Sequence, residues 1–216
     1  MELGRKFYIR HSILKEEEDI THEFKGHRVL HFEEDGRNGR DANGRKTRQY
    51  ISKYLCGMLN SGKGGRLYIG VLDNGQIEGV MLTRYQKDHI LTSLEDIFER
   101  FEPPLHFSLY SVSFVPVLED NEIEEGIKDG YKYWDENQRG YPHKIRTHSY
   151  CWCDLESQAA LMSGLINPFY VVEIQLKSIT NLKVPYRAED GAYYIRRNAF
   201  NECIDYSELI KELECR

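Results

Sequence analysis

Three carboxylates and one lysine define the chemistry this chain could attempt. Glu18 and Glu23 occur as E-x4-E within EEEDITHEFKGH, and Asp73 closes the apolar run RLYIGVL. Lys25 follows in THEFK, where polar and apolar residues alternate as in a strand, so Glu23 and Lys25 would leave the same face. Mg2+ and Mn2+ are hard cations that prefer oxygen ligands. Crowded carboxylates repel one another, and a bound cation relieves that repulsion. Such a site can polarise a phosphoryl oxygen and activate water against a phosphodiester. Lys25 would then neutralise charge on the scissile phosphate.

Each of these residues also has an ordinary reading. Asp and Glu number 35 in 216 residues, so three can always be chosen. By its spacing alone, Glu18 is a solvated surface acid. Asp73 stands at the onset of LDNG, where an aspartate often hydrogen-bonds its own backbone. Glu23 is more informative, because it sits between His22 and Phe24 in an alternating segment.

The elements that must position these residues follow from periodicity. Residues 46–60 carry a helical period through Tyr50, Ile51, Tyr54, Leu55, Met58 and Leu59, and the glycines of SGKGG end it. RLYIGV reads as a strand, LDNG as a hairpin turn, and QIEGVML as the return. Residues 83–101 are helical and stop at Glu102-Pro103-Pro104. Residues 105–117 alternate as a half-buried strand. FYVVEIQLKS (169–178) is a further strand, with Glu173, Gln175 and Lys177 on its polar face. GAYYIRRN is an edge strand, and a helix over 205–214 begins at Asp205. Residues 118–167 break the rhythm and read as an insertion with little secondary structure. One domain over 1–216 results. Its class is α+β, a mixed, mainly antiparallel sheet flanked by helices, because hairpins outnumber crossovers.

Composition bounds the partners. A chain this long buries roughly 70% of its unfolded surface and needs no staples. Net charge is −6, against a generic polyanion coat. Residues 25–54 nevertheless carry eight Lys or Arg against four acids, including Arg28, Arg37, Arg40 and Arg45. The loop EEDGRNGRDANGR, rich in Gly and Arg, suits contact with a substrate. Five cysteines without a framework point to a reducing intracellular compartment, cytoplasm ahead of nucleus. The opening residues lack a signal-peptide core, and no run approaches the ~20 apolar residues of a membrane span.

The succession of E-x4-E-F-K, an amphipathic helix ending L-N-S, Gly-Gly, and L-Y-I-G-V-x-D-N-G-x-I-x-G resembles the Schlafen family, specifically its divergent AlbA-like domain. The tail P-Y-R-A-E-D-G-A-Y-Y-I-R-R-N resembles that domain's final strand. The resemblance spans about 16–117 and 168–214, and it implies a single Schlafen-type lobe. It further implies an endoribonuclease dependent on Mg2+ or Mn2+, or a catalytic subunit of a composite one, cleaving structured RNA or small-RNA precursors. Glu18, Glu23 and Asp73 take the places of its metal ligands, and Lys25 that of its lysine. The alternative is a non-catalytic RNA-binding or scaffolding subunit. With one lobe present, a homodimer or a heteromer with another Schlafen-like subunit is expected. The family's structural zinc site lacks its cysteines here, although His106 is present.

Other candidates are weaker. His148, Cys151 and Cys153, perhaps joined by His143, offer zinc donors, but the spacing is not a standard finger and isolated loop thiols are the simpler reading. SGKGGR runs from helix to strand, the reverse of a P-loop. Aromatics that could stack bases are Tyr131, Tyr133, Trp134 and Tyr141 in the insertion. Tyr186, Tyr193 and Tyr194 stand near Arg187, Arg196 and Arg197, and Arg196 and Arg197 are candidate RNA contacts.

Overall fold

The computed structural model describes residues 6–36, 49–119, 152–163 and 169–215. Its sheet is built around the strand whose sequence is most apolar. β6 (Phe169–Leu176) pairs antiparallel with β3 (Gly65–Ile69), with β5 (Tyr110–Leu118) and with the short β4 (Val80–Met81). β1 (Tyr8–Ile9) lies parallel to β5, and β2 (His22–Lys25) lies parallel to β3. The path is β1-β5-β6-β3-β2, with β2 at one edge. The fold is α+β with a mixed, mainly antiparallel sheet flanked by helices. Among the described residues, no helix is long and apolar enough to cross a membrane.

β6 departs from simple alternation. Val171, Val172, Glu173 and Ile174 are all buried, because apolar layers cover both of its faces. One layer contains Leu55, Leu59, Leu94, Phe98, Val172 and Ile174. The other contains Phe24, Tyr68, Val71, Val117 and Val171. Glu173 tolerates this burial because Lys6 Nζ and Tyr8 Oη each donate to its Oε1, at 2.5 and 2.6 Å.

α1 (Ser52–Ser61) begins later than its periodicity predicts. The Ile51 and Ser52 N–H groups donate to the carbonyls of Val29 and Leu30, which holds the approach to the helix against the preceding chain. Gly62 ends the helix in the left-handed conformation, its N–H on the Leu59 carbonyl. α2 (Arg84–Glu99) opens on a capping box of Thr83 and Gln86. α3 (Trp152–Met162) places a helix inside the segment read as largely unstructured. The rest of that insertion, with Tyr131, Tyr133, Trp134 and Tyr141, lies outside the described residues.

GAYYIRRN is not an edge of the main sheet. β7 (Tyr193–Arg197) pairs with β8 (Phe200–Ile204) in a separate hairpin that packs on α1, with a further bridge from Tyr193 to Arg187, and α4 (Tyr206–Glu214) follows after Asp205. Buried Asn60 on α1 is what docks the hairpin. Its Nδ2 donates to the carbonyls of Tyr186 and Tyr194, both at 2.8 Å, and its Oδ1 accepts from the Tyr186 N–H at 2.7 Å.

Candidate functional site at the β2 edge

β2 reaches its place because β3 can approach it closely. A Cβ at Gly65 would sit 2.6 Å from the Thr21 carbonyl, so only glycine admits this pairing. The Arg66 N–H then donates to Thr21, and the ladder runs to the Gly70 N–H on the Lys25 carbonyl. Asp19 folds the chain into β2 by accepting from the Thr21 and His22 N–H groups. The edge is sealed by a side chain: Glu18 Oε1 accepts the Phe24 N–H at 2.9 Å. Glu18 is therefore more than a solvated acid.

Glu23 is 2% exposed. Lys25, on the same strand face, donates to its Oε1. Arg196 Nη2 stands 2.5 Å from Oε2. Arg196 is itself 1% exposed, and also donates to the carbonyls of Asp19 and His22 at 2.9–3.0 Å. Burial pushes the Glu23 carboxyl above its ordinary range, and the two cations oppose that shift.

Tyr54, in the first turn of α1, is the hub that spacing placed in the apolar stripe. Lys25 Nζ lies 4.1 Å and Lys53 Nζ 4.9 Å from its ring centroid, with the Arg196 guanidinium at 6.0 Å. Its hydroxyl donates to Gln49 Oε1 at 3.1 Å. Burial raises its ionisation first, and the charges of Glu23, Glu18 and Asp73 add to that rise.

Asp73 is exposed in the turn after β3. The turn closes through Leu72 and Gln76, and its side-chain bond comes from Asn74, whose Oδ1 accepts the Gln76 N–H at 3.0 Å. Asp73 does not serve the turn in that way.

Carboxylate oxygen is the donor type a hard cation takes, and the buried Glu23 Oε2 has no hydrogen-bond partner although Arg196 Nη2 stands 2.5 Å away. As folded, no group of three or more His, Cys, Asp or Glu among the described residues is arranged to hold a metal. Ammonium and guanidinium groups stand on Glu23 instead.

The basic residues expected to meet RNA are placed differently from one another. Arg196 is buried rather than surface-exposed: its Nε and Nη2 donate to backbone carbonyls and its Nη2 stands on Glu23, while its Nη1 has no hydrogen-bond partner. Its neighbour Arg197 is half-buried and paired with Glu202 and Glu212. Arg28 pairs with Asp154 of α3, which also accepts from Gln86 at 2.9 Å. Arg37, Arg40 and Arg45 lie outside the described residues. Tyr186 is buried, and Tyr194 donates to Asp190 at 2.6 Å while packing on the main core. Tyr193 lies beside Tyr206 with ring centroids 5.4 Å apart. Of the zinc candidates, Cys153 is buried and forms no disulfide, and His143, His148 and Cys151 fall outside the described residues. His106 is exposed, its Nδ1 2.8 Å from Ser108 Oγ.

An α+β lobe with an acidic cluster at the edge strand of its mixed sheet defines the class of this protein. The family model described as Schlafen, AlbA_2 matches residues 18–205, and the chain belongs to that family. Membership is compatible with a nucleic-acid-related role.

Proposed function

We propose that this chain is a metal-dependent endoribonuclease, or the catalytic subunit of a composite one, acting on structured RNA or small-RNA precursors. The observation that best supports this reading is buried Glu23 on edge strand β2, with Lys25 on its carboxylate and Glu18 closing the same strand at the Phe24 N–H, in a chain of the Schlafen, AlbA_2 family. Glu18, Glu23 and Asp73 would hold Mg2+ or Mn2+, which when bound supplies Lewis acidity toward a phosphoryl oxygen and an acidified water. The chain's own residues do the rest. Arg196 holds Glu23 in one orientation. Lys25 brings a positive charge to the place where a phosphate would approach. Tyr54 keeps that charge within reach by presenting its ring face. The chain is expected to work as a homodimer or with a related subunit, in the cytoplasm. The decisive experiment incubates the pure chain with labelled structured RNAs, with and without Mn2+, beside Glu23→Gln. Cleavage that needs Mn2+ and vanishes in the variant supports the assignment, and undiminished cleavage by a clean variant preparation removes it.

A second reading is favoured by the ion pairs themselves. Glu23 held between Lys25 and Arg196 is also what a purely structural buried acid looks like. A non-catalytic subunit would bind RNA or scaffold a nuclease, show no cleavage alone in Mg2+ or Mn2+, and raise the activity of a related subunit when mixed with it.

A further inference from the structure

We infer that Asp154 of α3 plugs a phosphate-binding seat made by Arg28 and Gln86, and that an RNA phosphate takes this seat when α3 lifts away. The inference rests on the reading that the chain acts on RNA, and it adds a brake supplied by the chain's own insertion. The seat follows the β2 edge along the chain. After Lys25 comes Gly26, where an added Cβ would stand 3.0 Å from Leu72 Cδ2, next to Asp73 in its turn. Arg28 is two residues further on, and its guanidinium donates to Asp154 Oδ1. Gln86 Nε2 donates to the same oxygen at 2.9 Å. Gln86 is itself held in place, because its Oε1 accepts the Thr83 N–H in the capping box that opens α2. Burial raises the Asp154 carboxyl, but the Arg28 charge, the Gln86 and Arg28 hydrogen bonds and the charge of His89 outweigh it and leave it below its ordinary range. Glu34 is the other acid that bears on this guanidinium, and its Oε2 is committed to the Leu30 N–H at 2.9 Å. A guanidinium and an amide converging on one anionic oxygen are donors that a phosphate oxygen accepts equally well.

Little holds α3 down. Among its described residues Cys153 and Ser157, one turn apart, are buried, whereas Leu155 and Met162 are 52% and 83% exposed. Lifting the helix therefore returns little of that apolar surface to water. The Arg28 and Asp154 side chains are 29% and 50% exposed, so solvent and a competing anion reach the pair. Ion pairs this open are weak. An RNA strand carries a phosphate at every nucleotide and gains from counterion release, so it outcompetes one carboxylate. Arg28 is thus an RNA contact that the folded chain keeps masked, and Asp154 is the group that masks it.

The test measures affinity for a labelled structured RNA, in EDTA, for wild type, Asp154→Asn, Arg28→Gln and the double variant. Asp154→Asn should bind RNA about threefold to fivefold more tightly than wild type, the range an exposed ion pair allows. Arg28→Gln should bind it at least about twofold more weakly, and adding Asp154→Asn to Arg28→Gln should change affinity by less than about 1.5-fold. An equal gain with and without Arg28 would reduce the effect to net charge and overturn the inference. Unchanged or weaker binding in Asp154→Asn would overturn it too. A second measurement needs no variant. Saturating RNA should quicken amide hydrogen exchange in α3 of wild type while α2 stays protected. Unchanged or slowed exchange in α3 overturns the inference. If wild type binds RNA but neither Asp154 nor Arg28 alters that binding, the RNA reading stands and the brake falls. If no form binds RNA, both fall.

Discussion

Arg196 on β7 and Glu23 on β2 face each other across 2.5 Å, each almost wholly shut away from water. They join the hairpin to the edge of the main sheet, and the same guanidinium also satisfies two carbonyls at the entrance to β2. Removing Arg196 would strand a buried carboxylate and two acceptors. Arg196→Met should therefore cost ~3–5 kcal/mol in urea unfolding. Replacing both partners, Arg196→Met with Glu23→Leu, should cost clearly less than the sum of the single changes. Additive costs would show that the pair does not interact.

On the proposed function, Asp73 would separate catalysis from stability. It is exposed and the turn is closed by Asn74, so Asp73→Asn should leave unfolding within about 0.5 kcal/mol of wild type. Mn2+-dependent RNA cleavage should nevertheless fall by more than the ~10–100-fold typical of an outer-shell partner. Asn74→Ala should behave in the opposite way, lowering the melting temperature slightly and sparing cleavage.

Gly65 tests the approach of β3 to β2. An added methyl would meet the Thr21 carbonyl at 2.6 Å in a backbone conformation that other residues rarely adopt. Gly65→Ala should destabilise by more than ~1 kcal/mol. Hydrogen exchange should quicken first at the Arg66 and Gly70 amides, whose bonds define that pairing. Uniform loss of protection would argue against a local effect.

Glu34 gives stability a pH dependence. Burial raises its carboxyl to about 7, against the lowering effects of the Leu30 N–H and of Arg28. An acid whose folded value is raised favours the folded state below its unfolded value of 4.5, and that contribution is lost as pH rises through about 7. Glu34→Gln should flatten this part of the profile. Relative to the variant, wild type should lose at most about 3 kcal/mol between pH 4.5 and 8. Parallel pH–stability curves would show that Glu34 does not titrate differently in the folded state.

Much of the frame was readable along the chain because it depends on local geometry. Period-two spacing puts Glu23 and Lys25 on one strand face, and Asn74-Gly75 makes the turn that leaves Asp73 at its tip. Helical spacing marked α2, and β6 was evident from its run of apolar residues. Burial of both faces of β6 was not evident, because the Lys6 ammonium and the Tyr8 hydroxyl that satisfy Glu173 come from a distant part of the sequence. The start of α1 was misplaced for a similar reason, since backbone pairing with Val29 and Leu30 competes with its first turn.

What the sequence determined by itself was the identity of the acids, the side of the strand that Glu23 and Lys25 share, and the turn that carries Asp73. Tertiary structure alone decided their company. Arg196 sits in an alternating YIRR that reads as surface, and Tyr54 sits in an apolar stripe that reads as core. A guanidinium can be buried only where a counter-charge and carbonyls await it, and those lie on β2, a separate strand that only the folded chain brings beside β7.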